Sequence, residues 1–154
     1  MTIQHSVITD PDVHEPKGAS TASVGQVYVS DGAGSGTWDM NYPLTALVVE
    51  IADITDVADF YVVAPFACAI EKMYSVISGA IGGVDKTFTL SIDGTPVTSG
   101  VITVAYSGSA AGDVDSCTPS ANNTASAGEA IKIAAAGAST GTVSARLTLV
   151  IRQQ

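Results

Sequence analysis

From Leu44 onward, hydrophobic and polar residues alternate with a period of two, which is the signature of half-buried strands rather than helices. Leu44 to Ile51, Phe60 to Ala64 and Ala67 to Ser78 form the first three such runs, each rich in β-branched residues. Phe88, Leu90 and Ile92 then point one way while Thr87, Thr89 and Ser91 point the other. Asp93-Gly94 is a hairpin signal, and it leads into Val97 and on through Val101 to Tyr106. Beyond a long loop of small residues, Ala130 to Ala134 and Val143 to Ile151 supply two more strands. In the last, Val143, Ala145, Leu147 and Leu149 share a face opposite Ser144, Arg146 and Thr148. The pattern predicts about eight strands and no amphipathic helix; Asp53 to Asp59 has room for one helical turn at most.

Some eight antiparallel strands in roughly 110 residues, joined by Gly-rich and Asn-rich loops, predict an all-β fold: an antiparallel β-sandwich of the jelly-roll kind. An immunoglobulin-like sandwich is the competitor. Against it, Trp38 is the chain's single tryptophan and precedes the strands, so no core Trp lies between Cys68 and Cys117.

Before Pro43 the alternation fades. Residues 1–43 are rich in Gly, Ser, Thr, Asp and Pro, with short apolar patches such as Val27-Tyr28-Val29. Such a segment buries too little apolar area to fold alone and reads as an extended N-terminal arm, with the sandwich body at 44–154. Within it, Ser30-Asp31-Gly32-Ala33-Gly34-Ser35-Gly36-Thr37-Trp38 looks like a phosphate-binding loop. Its glycines have the wrong spacing, however, and no Lys follows before Lys72. A turn between two extended segments is the better reading.

Charge narrows the partners. Fifteen Asp and Glu against six Lys and Arg leave a net charge of -9, which repels nucleic acid and anionic membranes, so neither is an expected partner. Charged residues make up only 14% of the chain, sparse for a monomer's surface, and that points to faces covered by other copies or other proteins. The first residues lack a basic start followed by an apolar core. No window approaches ~18 consecutive apolar residues either, so a soluble protein made in the cytoplasm is expected.

Candidate chemistry is thin. Gly137-Ala138-Ser139-Thr140-Gly141 matches the nucleophile-elbow pattern, yet no acid or His follows Ser139, and both histidines, His5 and His14, lie in the arm. Asp113 and Asp115 open like a calcium loop but continue into Cys117 and Thr118. Asp53, Asp56 and Asp59 recur every three residues and read as a solvated face. Asn122-Asn123-Thr124 fits a glycosylation sequon, which means little without a secretory route. Tyr61, Tyr74 and Tyr106 are too few to suggest a sugar platform, which leaves a carbohydrate-binding module as a third-ranked reading. Cys68 and Cys117 read as two idle thiols, with a disulfide in oxidising surroundings as the alternative. No enzyme, cofactor or metal is expected.

The run "DPDVHEPKGASTASVGQVYVSDGAGSGTW", Asp10 to Trp38, resembles an N-terminal segment of structural proteins of tailed-bacteriophage virions, and "DGTPVTSGVITVAYSGSAAGDVDS" resembles the body that follows it. The family comprises head decoration (cement) proteins and fibre-type components. The resemblance implies a β-sandwich body, a symmetric homo-oligomer with a trimer favoured over a dimer, and an arm docked on the major capsid protein at the outer surface of the virion. The arm residues it singles out for docking are His14, Glu15, Pro16, Lys17, Gly18, Tyr28, Gly32, Gly34, Gly36 and Trp38. On this reading the glycines let the arm lie flat and Trp38 is its anchor.

Overall fold

The computed structural model describes residues 22–33, 36–40, 42–55 and 57–154. The chain divides between Tyr42 and Pro43 into two compact units, and among the described residues every regular element is a strand.

The first unit contains a hairpin of β1 (Gln26–Ser30) and β2 (Gly36–Met40). The turn expected between two extended segments falls here, and the two segments pair across it. Two local features hold it. Ser30 Oγ and Asp31 Oδ1 accept hydrogen bonds from the Gly32 and Ala33 N–H groups at 3.2 and 2.8 Å, which closes the turn from its own side chains. Gly36 then packs flat against β1, where a Cβ would collide with the Val29 carbonyl and the Tyr28 ring.

The second unit is the predicted sandwich. Its strands are β3 (Leu44–Ile51), β4 (Asp59–Val63), β5 (Cys68–Ile77), β6 (Lys86–Ile92), β7 (Thr95–Val104), β8 (Val114–Cys117), β9 (Thr124–Ala125), β10 (Ala130–Ala136) and β11 (Ala145–Gln153). One sheet runs β3-β11-β5-β8, with β9 also on β5, and the other runs β4-β10-β6-β7. The connectivity is that of a jelly roll. Leaving the two-residue β9 aside, the first strand pairs with the last (β3 with β11), the second with the last but one (β4 with β10), then β5 with β8 and β6 with β7, all antiparallel. This is a long ribbon folded over so that β11 also meets β5 and β10 meets β6.

Alternation explains which side chains fill the space between the sheets. Leu147, Leu149 and Ile151 from β11 and Ile70, Met73 and Ile77 from β5 face Phe88 and Leu90 from β6, Ile102 and Val104 from β7, and Ile131 and Ile133 from β10, all buried. The β6–β7 turn is the one Asp93-Gly94 predicts, with both residues at positive φ (46° and 74°), as a primed two-residue turn requires. The alternation slips twice. Where Val150 opposes Lys72 but Ile151 opposes Ile70, Glu71 is the extra residue of a bulge, and its carboxylate accepts from Arg152 Nε at 2.9 Å. Strand β7 is likewise irregular around Ser99, a non-glycine residue at φ 58°.

Lys86 breaks the hydrophobic rule. It is 0% exposed at the start of β6, and its ammonium donates to the Gly137 carbonyl at 3.1 Å. Gly137, at φ 94°, approaches the Asp85 carbonyl so closely that a Cβ there would clash, which is how its own carbonyl comes within reach of the lysine.

Candidate interaction surfaces

On the hairpin, Tyr28 and Trp38 are direct cross-strand partners, and their rings meet edge to face with centroids 5.4 Å apart and planes at 66°. Gln26, Tyr28, Trp38 and Met40 lie on one half-buried face, while Val27, Val29, Thr37 and Asp39 lie on the exposed one. Gln26 steadies the pair's end of the ladder, donating to the Trp38 carbonyl at 3.4 Å while its own carbonyl oxygen accepts from Ser23 N–H at 2.7 Å. Of the residues assigned to docking, Tyr28, Gly32, Gly36 and Trp38 therefore belong to one hairpin; Gly34 and the run His14, Glu15, Pro16, Lys17 and Gly18 fall outside the described residues. The glycine-rich stretch that looked like a phosphate loop is the turn of this hairpin.

The body corrects or refines several other expectations. Cys68 and Cys117 are both free thiols. Cys68 opposes Ala125 and Cys117 opposes Met73, five positions further along β5. At about 3.3 Å per residue that is roughly 16 Å, far beyond the ~7 Å Cα separation a disulfide tolerates, so an intrachain bridge is excluded. Burial pushes both thiols above their ordinary value of 9.0, and at Cys117 a hydrogen bond from the Met73 N–H pulls partly the other way.

Ser139, the elbow candidate, is buried and its Oγ has no hydrogen-bond partner among the described residues; it sits beside Thr140, which bridges to Gly82, between two strands rather than at the opening of a helix. Asn123 donates to the Ile70 carbonyl at 2.8 Å, a structural clamp of its loop onto β5. Asp113 accepts from the Ala110 N–H at 2.6 Å, which closes its own turn. Asp115 is raised above the usual carboxylate value, first by burial and then by the neighbouring Asp113 charge. Asp53 is lowered, chiefly by hydrogen bonds from the Thr55 backbone and hydroxyl, and Asp59 pairs with Lys132, whereas Asp56 lies outside the described residues. Among the described residues no group of three or more His, Cys, Asp or Glu is placed to hold a metal ion.

What sequence reasoning missed is the outer face of the β3-β11-β5-β8 sheet. Leu44, Ala46 and Val48 on β3, Val150 on β11, Tyr74 and Val76 on β5 and Val114 on β8 share that face, with Leu44 59% and Val48 52% exposed. Charge lies at its ends, where Arg146 pairs with Glu50 and Arg152 with Glu71, and at Lys72, which opposes Val150 and sits 4.8 Å over the Tyr74 ring. Near the first pair a shallow depression of about 420 Å³ is lined by Glu50, Ala52, Val76, Ser78, Ser144 and Arg146. The signal was available, since the alternate positions 44, 46 and 48 are all apolar where an ordinary solvent face would carry charge.

Compared with protein-family models and with curated protein sequences, the chain matches none.

Proposed function

We propose that the protein is a structural component of a tailed-phage virion, a head decoration protein that binds the outside of the capsid. The observation that carries the reading is the separate hairpin unit with its Tyr28–Trp38 pair. Two aromatic side chains paired across a hairpin are the kind of anchor that dominates binding energy at an interface. The resemblance of residues 10–38 to virion proteins supports the same assignment, and so does a net charge of -9, which suits a position outside the shell and away from packaged DNA.

In this role, residues 1–43 grip the major capsid protein while copies of the body cover the seams between capsomers. The work is mechanical: apolar area buried at those seams opposes the outward pressure of the genome. Co-sedimentation with undecorated capsids tests it. The intact chain saturates the shells and Trp38→Ala binds measurably less; a chain that ignores expanded capsids refutes the decoration role.

A fibre-type role is the second reading, favoured by the long exposed loops at 105–113 and 118–123, the latter held in place by Asn123 and by hydrogen bonds between its Ser120 and Ala121 and Thr98 of β7. Binding to host cells through those loops, with or without residues 1–43, would distinguish it.

A further inference from the structure

A sheet edge exposes unpaired N–H and C=O groups, and natural proteins blunt such edges with short strands, bulges, prolines or charge. Three of the body's four edges are blunted in this way. β7 carries Pro96 and the left-handed Ser99, and its Thr98 is bridged to Ala121. β8 and β9 are four and two residues long. β4 is five residues long and opens with Asp59, tied to Lys132. The edge at β3 is different. It runs eight residues, keeps an unbroken register with β11, and contains no Pro, Lys or Arg; its one charge, Glu50, comes next to its end and pairs with Arg146.

The direction of its free groups follows from neighbouring hydrogen bonds. The Ser144 carbonyl accepts from the Ser78 N–H on the β5 side, and the Val143 carbonyl accepts from the Ile54 N–H on the β3 side. Backbone groups alternate along a strand, so Ala145, Leu147, Leu149 and Ile151 bond to β3 through Ile51, Val49, Leu47 and Thr45. Leu44, Ala46, Val48 and Glu50 therefore aim their N–H and C=O outward.

We propose that this edge pairs antiparallel with β3 of a second copy about a two-fold axis at Leu47, joining two four-stranded sheets into one. In that register Leu44 opposes Glu50 of the second copy and Ala46 opposes its Val48, so all four outward residues form hydrogen-bonded pairs, about eight bonds in total. Moving the axis to Ala46 or Val48 loses a pair at one end. The outer face also matches in charge. Across the joined sheet one row reads Glu71, Arg152, Leu44, then Glu50 and Arg146 of the second copy, so acid and base alternate on either side of a leucine. The exposed Leu44, Ala46 and Val48 come together at the junction. An edge used in this way is closed by two copies, so the expected state is a dimer rather than the trimer that the resemblance favours. The pairing rests on the body alone and holds whether or not the hairpin binds a capsid.

The mass of the full chain in solution tests it, together with two variants. Ala46→Pro deletes an N–H that points outward and leaves the β3–β11 ladder intact, since proline is tolerated on an edge strand in that orientation. The wild type sediments at twice the chain mass and Ala46→Pro at once the chain mass, with an unchanged circular dichroism spectrum. Leu47→Cys places two thiols across the axis in a pair without hydrogen bonds, about 4.5 Å apart between Cα atoms. Mild oxidation then gives a covalent dimer that neither the wild type nor Thr45→Cys gives. A monomeric or trimeric wild type overturns the proposal. So does a dimer that survives Ala46→Pro in folded form without cross-linking at position 47. If Ala46→Pro fails to fold, the cross-link at 47 decides alone.

Discussion

Leu149 sits at the middle of β11, is 0% exposed, and has strands on both sides. Replacing it with alanine removes three carbon groups from the space between the sheets. At ~0.8 kcal/mol per group the transfer loss is about 2.4 kcal/mol. Incomplete collapse around the cavity brings the total to about 3–4 kcal/mol, inside the range measured for buried leucines. Unfolding entropy of ~2.1 cal/mol/K per residue over roughly 110 residues makes each kcal/mol worth about 4 °C, so the melting temperature falls by about 13–17 °C. The neighbouring Val150 points to the opposite face and is only half-buried. Val150→Ala therefore costs less than about 1 kcal/mol, or ~4 °C. Scanning calorimetry on the two variants reads the difference directly. Equal shifts would refute the assignment of inner and outer faces and, with it, the sandwich.

Gly36→Ala forces a Cβ onto the Val29 carbonyl and the Tyr28 ring. An overpacking cost of about 1–3 kcal/mol is large for a two-stranded hairpin, so near-ultraviolet circular dichroism and Trp38 fluorescence change. Asp115→Asn raises stability at neutral pH. The folded-state pKa of Asp115 lies above its unfolded value of 3.8, so ionisation at higher pH works against the fold, and the gain over wild type vanishes in urea melts below about pH 4. The thiols follow the same sign. Both are raised by burial, so the stability they contribute is complete below pH 9.0 and is lost as pH climbs through their folded values. A thiol reagent at pH 8 labels them slowly until denaturant is added.

Seven of the body's strands are legible because each is half-buried, and a half-buried strand must alternate. β8 and β9 are not, because "VDSC" and "TA" are short edge pieces whose pairing comes from the neighbouring β5 rather than from their own composition. The turn within Ser30 to Trp38 is legible from its glycines, whereas the pairing of its flanks as β1 and β2 is not, for a different reason. Val27-Tyr28-Val29 shows little contrast between faces, and the pairing is set by a cross-strand ring contact and one close glycine. Lys86 reads as a surface residue in any local window. Its burial depends on a carbonyl 51 positions away, brought near by the tight bend at Gly137. The open edge of β3 lies between these cases, since the apolar outward positions are visible in the chain but the free hydrogen-bonding groups exist only once β11 is known to lie on the other side.

The ribbon pairing has a consequence for how the body comes to be folded. β11 is the last of these strands to be synthesised, yet it lies inside its sheet, clasped by β3 on one side and β5 on the other. Until it arrives, both neighbours lack their principal partner, and nearly every ladder joins distant parts of the chain. Such topologies fold slowly. Until β11 is in place, the β3 of a nascent chain, residues 44–51, lacks its only partner in the sheet and is open to pairing with the wrong neighbour.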